Sequence, residues 1–146
     1  PAERAAVDPL AARFTGPPTA APDRTTGVTT LGLRGLKEND PGKEGATASV
    51  AVDAAGHVVA VTANRAAFTN DEHKHFAAFP GLTTLTLWHN YPAGKKARPA
   101  DYDGTGLAHL TGLAKLERVT LAGGWLTDDG LAAAAKLPHL KDFQAW

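Results

Sequence analysis

Apolar residues recur in the second half of the chain in one fixed frame: Val58-x-x-Val61-x-Ala63, Leu82-x-x-Leu85-x-Leu87, Leu116-x-x-Val119-x-Leu121 and Leu140-x-x-Phe143-x-Ala145. The starts are 24, 34 and 24 residues apart, so the middle interval is one 24-residue period carrying a 10-residue insertion near 91–100. The second half of each period keeps the same frame. Thr69-Asn70-Asp71-Glu72 stands 58 residues before Thr127-Asp128-Asp129-Gly130, and Gly106-Leu107 stands 24 before Gly130-Leu131. The LxxLxL pattern predicts a short strand with its leucines inward and the intervening positions outward. The TDxGL element predicts the start of a helix, capped by Thr or Asp, with apolar residues returning at helical spacing as in Leu107, Leu110 and Leu113. No single unit of this length buries its own face, so each relies on its neighbours.

The block GLAHLTGLAKLERVTLAGGWLTDDGLAAAAKLPHLKDF resembles the TDxGL-type leucine-rich repeats of bacterial, especially planctomycete, proteins. The resemblance covers residues 58–146 and implies an α/β fold: a short leucine-rich-repeat solenoid, parallel strands on one face and helices on the other, with an N-terminal β-hairpin cap. It implies no single activity. Two departures stand out. Asn90 holds a place where such repeats bond neighbouring backbones, but Ala66 and Gly124 hold the equivalent places without a side chain able to do so. And the sequence reaches Trp146 one strand into a fourth repeat, leaving an open edge.

Before the repeats, residues 1–27 are rich in Pro and Ala; Pro9 and the Pro17-Pro18 pair interrupt any helix there. They read as an extended arm, irregular unless it lies on something. Residues 28–57 read as the cap: Val28, Leu31 and Leu33 outline a strand, a polar loop KENDPGKEGAT follows, and two β-rich runs then flank Asp53-Ala54-Ala55-Gly56 as a hairpin.

Composition narrows the function. Lys plus Arg equals Asp plus Glu at 15 each, which argues against nucleic acid, whose binding needs a basic excess. Absence of cysteine excludes disulfides, thiolate metal sites and Cys nucleophiles. No apolar run is long enough to span a membrane. The start at Pro-Ala-Glu-Arg fits removal of a signal peptide and a periplasmic or extracellular location.

With the register fixed, the outward strand positions form rows: Thr62, Thr86, Thr120 and Gln144; Val59, Thr83, Glu117 and Lys141; Ala60, Thr84, Arg118 and Asp142; and, past the last strand leucine, Asn64, Trp88, Ala122 and Trp146. This sheet face is where repeat scaffolds bind. Tryptophan is an interface anchor, so Trp88 and Trp146 join Thr86, Arg118 and Thr120 as candidate partner contacts. Packing of Trp88 under the adjacent insertion is the other reading of that residue. The insertion contributes Tyr91, Lys95, Lys96 and Arg98, with Tyr102 beyond it, a set suited to an acidic protein patch or a glycan.

Chemistry finds little purchase. His73 and His75 form an HxH, and His75 and His109 occupy equivalent places in successive repeats, but two imidazoles are half a zinc site with no third ligand evident. The histidines of the HxH read instead as polar residues on an outer helical face. No nucleophile elbow, P-loop, HExxH or dinucleotide fingerprint occurs. The expectation is a non-enzymatic module without cofactor or metal that binds a protein, as an accessory or scaffold subunit of a larger assembly, membrane-associated assemblies included. Glycan or cell-surface recognition is the first alternative and a metal-dependent enzyme the second.

Overall fold

The computed structural model describes residues 7, 11–12, 14–16, 19–34, 46–65, 68–89, 102–123 and 126–146. They form a mixed α/β architecture around one open seven-stranded sheet whose strands follow one another in sequence order. The strands are β1 (Thr19–Pro22), β2 (Thr29–Arg34), β3 (Thr47–Val52), β4 (Val58–Asn64), β5 (Thr84–Trp88), β6 (Arg118–Ala122) and β7 (Asp142–Ala145). Two 3-10 segments, η1 (Asp71–Ala78) and η2 (Thr105–Leu110), and one α-helix, α1 (Asp128–Ala134), connect the last four.

The sheet changes character at β4. From β1 to β4 the pairing is antiparallel, and from β4 to β7 it is parallel. The β3–β4 hairpin forms where the sequence places it. Asp53 is the reason: its Oδ1 accepts from the amides of Ala55 and His57, and Gly56 takes the left-handed conformation at φ 89°. In the parallel half, Ala60, Thr84, Arg118 and Asp142 are successive register partners, so the spacing of the apolar frame is the register of the ladder. The 34-residue interval pairs as squarely as the two of 24, which locates the extra residues outside the strand.

Two features differ from the sequence reading. Thr19–Pro22, inside the segment read as an irregular arm, forms a strand on β2, and Phe14 is buried in the core. The arm has something to lie on: the free edge of β2 offers backbone partners. Second, only the last connection is α-helical. The reason lies in the spacing. His73, Phe76, Phe79 and Leu82 recur every third residue, as do Leu107, Leu110, Leu113 and Leu116, and all eight are buried. A three-residue turn stacks such positions in one column. In α1 the buried residues are Gly130, Ala133 and Ala134, a spacing of three and four that suits the α-helix.

The core lies between the sheet and these connections. Val61, Leu85, Leu87 and Val119 from the strands meet Phe76, Leu107, Leu110 and Ala134 from the helical segments. Replacing Leu85 with Ala is expected to cost about 2–5 kcal/mol, the usual range for a fully buried leucine.

The turns that start each helical segment are joined to one another. Thr69 and Glu72 form a reciprocal cap, with the Thr69 amide donating to Glu72 Oε2 at 2.7 Å and the Glu72 amide to Thr69 Oγ1 at 3.3 Å. Asp103 and Thr127, the equivalent residues, accept from the amides of Thr105 and Gly130. Between these turns Asn70 donates to Asp103 Oδ1, and the Thr127 amide and hydroxyl both donate to the Asp103 carbonyl. The approach is close enough to require glycine. A Cβ on Gly106 would lie 2.4 Å from the Asn70 carbonyl oxygen, and one on Gly130 would lie 2.2 Å from that of Asp103. The glycine of TDxGL is therefore a packing contact between successive turns.

Candidate partner-binding face

The side of the sheet away from the helical segments presents the rows read from the sequence. Register partners Ser49, Thr62, Thr86, Thr120 and Gln144 make one row, and Thr47, Asn64, Trp88 and Ala122 another. Hydroxyls, methyls and two indoles dominate this surface.

Trp88 and Trp146 come together on it. Their ring centroids are 6.1 Å apart and the planes cross at 82°, an edge-to-face pair. Trp88 ends β5, while Trp146 is held beside β6 by its amide, which donates to the Leu121 carbonyl, and by its carbonyl, which accepts from Gly123. Ala122, the register partner of Trp88, is buried at 4% exposure; its small side chain leaves room for the indoles to meet. Trp88 retains 40% of its surface exposed and Trp146 62%. Large exposed aromatics in contact are a feature a soluble surface rarely carries without use.

The other candidates divide. Arg118 is on the same face, but its Nε pairs with Asp142 at 3.3 Å, and the neighbouring Lys141 pairs with Glu117 at 2.8 Å. The Lys141 ammonium, donating to Glu117, holds that carboxyl below its ordinary pKa. These four line a shallow polar cleft with Thr83 and Thr84. Thr86 is half-buried and Thr120 only 8% exposed, so the hydroxyl row offers less surface than alternation alone suggests. Tyr91, Lys95, Lys96 and Arg98, with the whole insertion near 91–100, lie outside the described residues, as does Asn90.

Tyr102 is not a surface residue. It is buried at 3% exposure, with its ring 3.8 Å from that of His89 and 5.7 Å from that of His73. His73 and His89 are themselves buried, at 0% and 2%. The expectation that the HxH histidines lie on an outer helical face is corrected for His73. The signal was present: His73 stands 34 residues before Leu107 and 58 before Leu131, in the leucine place of its own turn. Burial pushes the His73 imidazole below its ordinary pKa, against the Thr69 carbonyl that its Nδ1 contacts at 2.8 Å and the Glu72 carboxylate. Its Nε2 has no hydrogen-bond partner among the described residues.

His75 is half-buried and His109 exposed, and both favour the ionised form of Asp71, whose carboxyl is lowered first by its bond from Lys74. No group of three metal-ligating side chains occurs among the described residues. No helix among them is long and apolar enough to cross a membrane. Beside Trp146 on the core side, Tyr102, Leu121, Leu126 and Ala145 line an apolar cleft of about 220 Å³ with it.

Comparison of the chain with known protein families, curated proteins and solved structures returned no match.

Proposed function

We infer that residues 58–146 are a short leucine-rich-repeat solenoid and that the chain is a non-catalytic protein-binding module, an accessory or scaffold subunit of a larger assembly. Support for the solenoid comes from the parallel register at 24- and 34-residue intervals and from the turn-to-turn packing through Gly106 and Gly130.

The observation that carries the binding role is the Trp88–Trp146 pair on the outer face of the sheet. Crossing at 82°, the rings form a notch that suits an inserted side chain. A sugar ring stacks on a flat aromatic surface, which crossed planes do not supply, so the geometry favours a protein partner.

The test is native mass spectrometry of the tagged chain purified from its source, beside a Trp88→Ser variant. The expected result is a stoichiometric polypeptide partner whose retention falls about tenfold or more in the variant, as for an interface anchor. A chain that purifies alone, or a partner held equally by the variant, would overturn the reading.

A further inference from the structure

The far side of β7 carries no strand among the described residues. Three observations define what that edge accepts. The amides of Asp142 and Trp146 donate to the carbonyls of Glu117 and Leu121, so alternation along the strand turns the amides of Phe143 and Ala145 outward. Charges at the strand starts answer one another from strand to strand: Glu117 to Lys141 and Arg118 to Asp142. Finally, Ala145 stands in register with Leu87 and Leu121 and fills less space, which leaves the cleft of about 220 Å³ open beside it. Leu131 is 51% exposed at the same end, whereas its equivalent Leu107, lying under α1, is fully buried.

Continuing the register fixes the chemistry of the next strand. It sets an acidic residue beside Lys141, a basic one beside Asp142, an apolar one beside Phe143 and a large apolar one beside Ala145. We propose that the β7 edge is the docking site for an extended segment of a separate polypeptide, added in parallel and reading acidic, basic, apolar, polar, large apolar. This rests on the reading of the chain as a binding module and names the chemistry of its partner. Strand addition of this kind takes affinity from the backbone and selectivity from alternate side chains.

The chain's own Glu117-Arg118-Val119-Thr120-Leu121 has this pattern, but β6 is already paired on both sides. A second copy offers only the edges of β1 and β7. The β1 strand, Thr-Ala-Ala-Pro, carries no charge. Antiparallel pairing of two β7 strands that sets Lys141 opposite Asp142 also sets Ala145 against Pro138, which has no amide hydrogen to give. A separate partner is the occupant that fits.

The test titrates the full ¹⁵N-labelled chain with a synthetic peptide of residues 115–122, KLERVTLA, and with its variants KLREVTLA and KLERVTAA. The expected result is saturable amide shifts over residues 142–146, with each variant peptide about threefold to fivefold weaker. Ala145→Pro removes an outward amide and keeps the bonds to β6; it weakens KLERVTLA about tenfold. Ala145→Leu, which fills the cleft, abolishes the preference for KLERVTLA over KLERVTAA. Three peptides of equal affinity, no shift at millimolar peptide, or a chain that dimerises at micromolar concentration would overturn the proposal. Partner loss on Trp88→Ser without peptide binding would leave the binding module standing and remove only the β7 site.

Discussion

His73 stacks on Tyr102, ring centroids 5.7 Å apart and planes 23° from parallel, inside a core where both are buried. The imidazole there has its pKa below the ordinary value of 6.5, so the unfolded chain takes up a proton at a pH where the folded one does not. Stability is therefore full above pH 6.5 and falls as pH drops below it, down to the folded pKa. Each pKa unit of depression amounts to about 1.4 kcal/mol. The groups around His73 are Glu72, which opposes the shift, and His109, which adds to it. Urea denaturation between pH 7.5 and 5 measures the slope. His73→Leu, the residue of the equivalent turns, is expected to flatten it. An unchanged slope in that variant would place the acid sensitivity elsewhere.

The carboxylates titrate in a separate window. Asp23, Asp53, Asp71, Asp103 and Glu117 all have lowered pKa values, so their contributions are present above the unfolded values of 3.8 and 4.5 and are lost as pH falls through the folded ones. Asp103 is the informative case, lowered by the hydroxyl and amide of Thr105 and by Asn70. Asp103→Asn is expected to reduce the loss of stability between about pH 4 and 2, read by the same denaturation series.

Gly130→Ala is expected to destabilise the fold by about 1–3 kcal/mol or more, since the new methyl would meet the Asp103 carbonyl. Gly106→Ala should behave alike, against the Asn70 carbonyl. Gly112, with nothing within 4 Å of a built Cβ, is the control; its alanine variant should stay within about 0.5 kcal/mol of the parent. Thermal unfolding distinguishes the three, at roughly 2–4 °C per kcal/mol for a chain of this size.

Leu107 and Leu131 hold the same place in successive units and differ only in what covers them. Leu107→Ala should cost about 2–5 kcal/mol, because a fully buried side chain leaves a cavity. Leu131→Ala should cost less than about 1 kcal/mol, because half of that side chain already meets solvent. Equal losses in chemical denaturation would mean that something covers Leu131 in solution.

The aromatic pair on the outer face should contribute little to stability. A double-mutant cycle of Trp88→Ala and Trp146→Ala is expected to give a coupling of about 0.5–1.5 kcal/mol, far below the effect on partner retention. A coupling of zero would indicate that the two indoles do not touch in solution.

The sequence by itself determined the strands and their register. A side-chain period of two with one buried face leaves a strand no freedom to slip, so the spacing of Val61, Leu85, Val119 and Phe143 became the ladder. Asp53 and Gly56 likewise wrote the hairpin locally, through bonds and a backbone conformation that need no distant partner. The 3-10 turns were legible too, in the strict spacing of three from His73 to Leu82, although that spacing also fits an ordinary amphipathic helix.

Tertiary structure decided the rest. His73 is buried because its turn packs as the leucine-bearing turns do, and polarity alone predicted the opposite. Tyr102 is drawn into the same core by stacking on His73 and His89, residues that adjacency in sequence does not bring to it. Thr19–Pro22 becomes a strand only because β2 presents a free edge. Trp88 and Trp146 meet across Ala122, and two residues 58 apart in the chain share a surface only once three strands lie side by side. Local pattern fixes which way a side chain faces; the neighbours that the fold supplies fix what it touches.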